Sequence, residues 1–132
     1  MTLTDRINRW QETVPPALAT RPDLIALIEA SDYAAAQLTR NPALYDDLDP
    51  AAAPAENYRD TFAAENPVAA TEEELMQQLR RYKHRRQVRH IHAVVNGLID
   101  EPAFLARTSA LAETLIGVAL AWQHQALAAR YG

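Results

Sequence analysis

Apolar residues recur along this chain at intervals of three and four, and prolines and capping residues divide them into segments. Leu3, Ile7, Trp10 and Val14 give a short helix over 2–14 one apolar face, and Pro15-Pro16 stops it. Thr20 reads as the cap of a second helix, with Pro22 in its first turn and Leu24, Leu27 and Ile28 turned inward. Ser31-Asp32 starts a third segment carrying Tyr33 and Leu38, and Asn41-Pro42 opens a short helix through Leu44, Tyr45 and Leu48. DPAAAPAEN, residues 49–57, reads as a loop. A short helix around Tyr58 and Phe62 follows, ended by Asn66-Pro67.

Thr71 and Glu74 form a capping box, and the carboxylates of Glu72, Glu73 and Glu74 suit the positive end of a helix dipole. The helix behind them is expected to reach about residue 99, roughly 42 Å. Asp100-Glu101-Pro102 marks another start, and a last long helix is placed at 108–131. No strand-like alternation or internal repeat interrupts this order. The expected fold class is all-α, an irregular helical bundle with two long C-terminal helices, forming a single domain over 1–132.

Both long helices carry apolar residues on more than one side. In the first, Leu75, Leu79 and Tyr82 share a face, while Val88, Ile91, Val95 and Leu98 lie nearly opposite. The stripe changes sides within LRRYKHRRQVRHIH, residues 79–92, which hold six of the thirteen Lys/Arg and three of the four His. Arg86 and Arg89 then continue the first face, so at least one of them should meet a carboxylate or carbonyl of its own fold. The last helix shows Leu111, Leu115, Val118, Trp122 and Ala126 as one stripe and Ile116, Leu120, Leu127 and Tyr131 as another. A helix apolar on two sides needs covering on two sides.

Composition narrows the function. Ala supplies 26 residues and Gly only three, which favours helix throughout. A net charge of −4 argues against a nucleic-acid partner despite the basic run. Without cysteine there is no disulfide or thiolate chemistry. No unbroken apolar run approaches 18 residues and MTLTDRINRW lacks a secretory h-region, so no membrane association and a cytoplasmic location are expected. His84, His90 and His92 lack the i,i+4 spacing of convergent metal ligands, so no metal site is expected. The basic run is assigned to protein contacts, with Arg80, Arg81, Arg85 and Arg89 as the inter-domain or partner-facing candidates; Arg81 and Arg85 are expected to be free.

Three blocks carry a resemblance to a known family. IEASDYAAAQLTRNPALYDDL (28–48), LRRYKHRRQVRHIH (79–92) and TSALAETLIGVALAWQHQALAARYG (108–132) resemble, in order, the N-terminal helical region of the bacterial bifunctional glutamine synthetase adenylyltransferase/adenylyl-removing enzyme. The chain departs from that family's pattern at Arg86, His90, His92 and Val94, where relatives carry Glu, an apolar residue, Trp and an acidic residue. The resemblance implies an enzyme of nitrogen control that attaches AMP from ATP to a tyrosine of glutamine synthetase and removes it by phosphorolysis. It implies as partners the chain's own downstream nucleotidyltransferase domain, glutamine synthetase and, through other domains, a PII-type regulatory protein. Mg²⁺ and ATP are implied for the complete enzyme.

The catalytic signature of that family is a Gly-rich segment followed by Ser-Asp-x-Asp, and it is missing here. Asp47-Leu48-Asp49 has no Gly-Ser before it, and Ser31-Asp32 lacks the second carboxylate. No catalytic, cofactor-binding or metal-binding residue is therefore assigned. The chain reads as a non-catalytic helical N-terminal segment of such an enzyme, and the alternative is a stand-alone helical interaction module.

Overall fold

In the computed structural model, which describes residues 2–132, cap chemistry sets most of the helix boundaries. Helix α1 (Leu3–Thr13) starts from a capping box in which Thr2 Oγ1 accepts from Asp5 N and an Asp5 oxygen accepts from Thr2 N, both at 3.2 Å. Ser31 caps α4 (Asp32–Arg40), accepting from Ala34 N at 3.0 Å, and Asn57 caps α5 (Tyr58–Glu65), accepting from Asp60 N at 3.1 Å. Thr71 caps α6 (Glu72–Val95) as expected, while Glu74 reaches one residue past the cap to Ala70 N, at 3.0 Å.

Four boundaries differ from the sequence expectation. Thr20 does not cap α3 (Pro22–Ala30): its hydroxyl donates to Pro16 O at 3.2 Å, at the end of the single-turn α2 (Pro16–Ala19). Arg21 precedes α3 instead, and Pro22 starts it with a preset φ. The segment Pro42–Asp47 is a 3-10 helix, long for its kind, and the Asn41 side chain makes no cap bond. Helix α6 stops at Val95 because Asn96-Gly97 turns the chain out. Gly97 has φ 70°, Leu98 N donates to Ala93 O at 2.9 Å and Gly97 N to Val94 O at 3.2 Å, which is the Schellman pattern. Helix α7 runs unbroken over Glu101–Tyr131, about 46 Å, from an Asp100 cap on Ala103 N. Nothing between Pro102 and residue 108 breaks a helix, so the start signal at Asp100 is the true one.

The stripe switch in α6 builds two separate cores, one on each side of it. On one side α1, α3, α4 and the 3-10 helix bury Trp10, Leu24, Leu27, Ile28, Leu38 and Leu44 against Val88. The indole Nε1 of Trp10 is satisfied by Tyr45 Oη at 2.8 Å. On the other side α5 and α7 enclose Tyr58, Phe62, Tyr82 and Leu111, with Leu79, Leu115 and Val118 packed around them. Each fully buried Leu or Ile in these cores contributes about 1.5–3 kcal/mol relative to exposure. No strand occurs among the described residues.

Helix α7 is covered along one stripe only. Leu111 is its one buried residue, and Trp122 anchors the far half by donating to Ala69 O at 2.8 Å. The other stripe is bare: Ile116 is 61% exposed, Leu120 63%, Leu127 56% and Tyr131 76%. By length and composition alone α7 could also cross a membrane, although its covered stripe lies against α5 and α6.

Candidate functional site

The arginines of the basic run of α6 meet three carboxylates that the sequence scatters over two helices and a loop. Asp47 ends the 3-10 helix, Glu56 lies in the loop before α5, and Glu65 is the last residue of α5. Arg85 forks onto Asp47, with Nε at 2.5 Å and Nη2 at 2.7 Å. Arg89 lies 3.4 Å from the same carboxylate and 3.7 Å from Glu56. Between them Arg86 is 1% exposed and holds both remaining acids. Its Nε and Nη2 donate to Glu56 at 2.9 and 3.2 Å, its Nη1 donates to Glu65 at 2.8 Å, and its Nη2 also bonds Glu65. The guanidinium stacks 4.1 Å from the centroid of the Tyr82 ring.

Burial works against the charge of Arg86, and the two carboxylates more than offset it, so its pKa is raised. Asp47 and Glu56 are held below the ordinary carboxylate range: burial pushes them up, and their arginine partners outweigh it. The expectation that Arg86 or Arg89 meets an internal carboxylate is met by both. The expectation that Arg85 is free is corrected, because the 3-10 helix brings Asp47 directly over it. Of the four arginines assigned to outside contacts, Arg85 and Arg89 are engaged internally, and Arg80 and Arg81 are exposed with no ion pair among the described residues.

The three histidines point to three different neighbours. His84 Nδ1 lies 2.5 Å from the hydroxyl of Tyr33 on α4, which itself donates to Gln87 Oε1 at 2.8 Å. His90 Nε2 lies 2.7 Å from the hydroxyl of Tyr58 on α5. His92 Nε2 lies 2.8 Å from Asp23 on α3, and Arg21 forks onto the same carboxylate at 2.6 and 3.0 Å. Burial pushes His90 down to about 4 and keeps it neutral. His84 is also lowered, first by burial and then by Lys83, Arg80 and Arg40. Arg86 and His90 fix α5 and the loop before it to α6, and His92 fixes α3.

The Asp-x-Asp of the chain does not form a carboxylate pair. Asp47 is taken by Arg85 and Arg89, and Asp49 Oδ1 accepts from Ala51 N at 2.8 Å. Ser31 is a helix cap, and Asp32 pairs with Arg6. These residues therefore do not fit the Mg²⁺ or ATP phosphates of nucleotidyl transfer, and no chemical step is assigned to them. Sequence reasoning missed Asp23, Asp47, Glu56 and Glu65 as partners of the basic helix. The local signals around them were a proline-led helix start, an Ala/Pro-rich loop and helix ends.

No curated protein and no solved structure matches the chain significantly. A family model described as glutamate-ammonia ligase adenylyltransferase matches residues 22–132, from the first residue of α3 to the end of α7. That region holds the whole arginine network and its carboxylate partners, and the chain belongs to the glutamate-ammonia ligase adenylyltransferase family.

Proposed function

We propose that this chain is a non-catalytic helical segment of a cytoplasmic enzyme that reversibly adenylylates a tyrosine of glutamine synthetase, and that it positions the nucleotidyltransferase domain of the adenylyl-removing half. The observation that carries the reading is the bare stripe of α7, where Ile116, Leu120, Leu127 and Tyr131 are all more than half exposed on a helix within the family match. Large apolar side chains in a row on one helix mark a docking face. Ion pairs and histidine contacts fix the rest of the segment as a rigid body on which such a helix can be presented. The chemistry belongs to the partner domain, with its Mg²⁺, its nucleotide and its glutamine synthetase substrate; a PII-type regulator acts through other domains.

The test uses the enzyme that carries this segment together with its nucleotidyltransferase domain. Leu120→Glu with Leu127→Glu should lower the rate of AMP removal from glutamine synthetase. The same pair in the 132-residue chain should leave its circular dichroism unchanged, because neither side chain contributes to a core. Unaltered removal kinetics would reject docking through this face.

A further inference from the structure

Six of the chain's thirteen Lys/Arg are used internally, and those that are not are unevenly placed. Arg6, Arg21, Arg85, Arg86 and Arg89 are ion-paired, and Arg107 donates to Ala53 O at 2.9 Å. Among the side chains with neither kind of partner, Arg40, Arg80, Arg81 and Lys83 gather around His84. Arg81 shares a cleft with His84, and the other three lower its pKa through their charge. Glu65, the one carboxylate lining that cleft, is spent on Arg86, and Asp47 is spent on Arg85 and Arg89. Acids are not scarce, since the chain has 17 Asp/Glu against 13 Lys/Arg. Like charges three or four apart on a helix cost a few tenths of a kcal/mol per pair, as Arg80–Lys83 and Arg81–Arg85 do here.

The cluster borders a cleft of about 450 Å³ between the ends of α4 and α5 and the middle of α6. Gln37, Asn41, Glu65, Asn66, Arg81 and Arg85 supply its polar wall, and Leu44 and Tyr82 an apolar part. Asn66 Nδ2 is bonded to Phe62 O, whereas the side-chain amides of Gln37 and Asn41 have no partner among the described residues. The recess therefore offers an unpaired guanidinium and two unpaired amides, and a cationic rim lies outside it.

We propose that this cleft and its rim receive a carboxylate-bearing segment of a partner polypeptide. A small anion in the recess would leave Arg40, Arg80 and Lys83, which do not line it, unmatched. A peptide can place one carboxylate on the fork of Arg81 and others on the rim, while its main chain bonds Gln37 and Asn41. A nucleic acid fits less well. Tyr82, the one tyrosine lining the cleft, is 3% exposed with its hydroxyl bonded to Tyr58 O, which leaves little ring for a base to stack on. The proposal does not depend on α7 docking.

The test titrates the 132-residue chain into a fluorescently labelled peptide of alternating Glu and Ser, read by anisotropy, with a Gln/Ser peptide, ATP and a short DNA duplex as comparisons. The Glu peptide should bind, and the Gln peptide should not. Arg81→Glu with Lys83→Glu should weaken binding about tenfold or more, equivalent to about 1.4 kcal/mol. Arg9→Glu with Arg59→Glu, charges outside the cluster, should change it less than about twofold for the same net charge. All four side chains lack internal partners, so circular dichroism should confirm that every variant is folded. In ¹⁵N spectra the Gln37 and Asn41 side-chain amides should shift on titration. Absent binding, equal binding of the Gln peptide, equal losses in both double variants, or tighter binding of ATP or duplex DNA would each overturn the proposal.

Discussion

Arg86 ties α6 to α5 and the loop before it beside the Tyr82 ring, and Arg86→Met measures what that tie contributes. Methionine keeps an unbranched side chain of similar reach, so the cavity term is small and the loss is chiefly electrostatic. The substitution removes bonds to Glu56 and Glu65 and the stack on Tyr82. Breaking a buried ion pair by deleting one partner costs about 3–5 kcal/mol, because the other charge is left unpaired. Here the acids are partly solvated, with 22% and 38% side-chain exposure, and Arg89 still lies 3.7 Å from Glu56. The lower end, about 3 kcal/mol, is expected. For a chain of this size that corresponds to roughly 12 °C in Tm. Arg86→Lys should lose much of the same, since one ammonium cannot fork onto two carboxylates. Urea denaturation followed at 222 nm gives the value, and Arg86→Met combined with Glu56→Gln and Glu65→Gln should recover part of it. A loss below about 1 kcal/mol for Arg86→Met, or no recovery in the triple variant, would refute the reasoning.

Further outcomes follow from other features of the fold. His90 is neutral in the fold with its pKa depressed to about 4 from 6.5, so the unfolded chain takes up the proton first. Stability should fall by up to about 3 kcal/mol as pH drops from about 6.5 to 4, and an NMR titration showing His90 ionising near 6.5 would contradict this. Below that window the depressed carboxylates Asp23, Asp47 and Glu56 should add further acid sensitivity as they protonate. Gly97→Ala should cost about 1 kcal/mol from the left-handed φ alone, since no atom lies within 4 Å of the added Cβ, and Gly97→Asn should cost less in the same denaturation assay. The isolated chain should neither add AMP to glutamine synthetase nor remove it, and Asp47→Asn should instead lower stability by about 1–2 kcal/mol through Arg85 and Arg89.

Local chemistry was legible in the sequence at three helix starts. Ser31, Thr71 and Asp100 cap helices where the sequence marks a start, the Thr2 and Asn57 caps were not read, and the side switch between Tyr82 and Val88 correctly implied two partners for α6. Thr20 misled because a proline-led helix needs no side-chain cap, so the nearest threonine was credited with a role it does not have. The end of α6 was overrun because Val95 and Leu98 keep helical spacing across Gly97. The partners of the basic run were out of reach for a different reason. Glu56 and Glu65 lie 30 and 21 residues from Arg86, and Asp23 lies 69 from His92, so only the fold brings them together. Which arginines remained outward-facing could not be read until the acids were placed, and Arg85 was misassigned because Asp47, 38 residues away, meets it only in the fold.

Hydrogen exchange along α7 bears most directly on the claim that this segment presents a helix to a catalytic domain. Amide exchange would be compared between the 132-residue chain and the enzyme that carries it beside its nucleotidyltransferase domain. In the isolated chain, protection should be strong around Leu111 and fall off beyond Trp122, where every residue is exposed. In the larger protein, residues 116–131 should become protected, with those around Leu120 and Leu127 gaining most. Identical exchange of residues 116–131 in the two proteins would contradict the account.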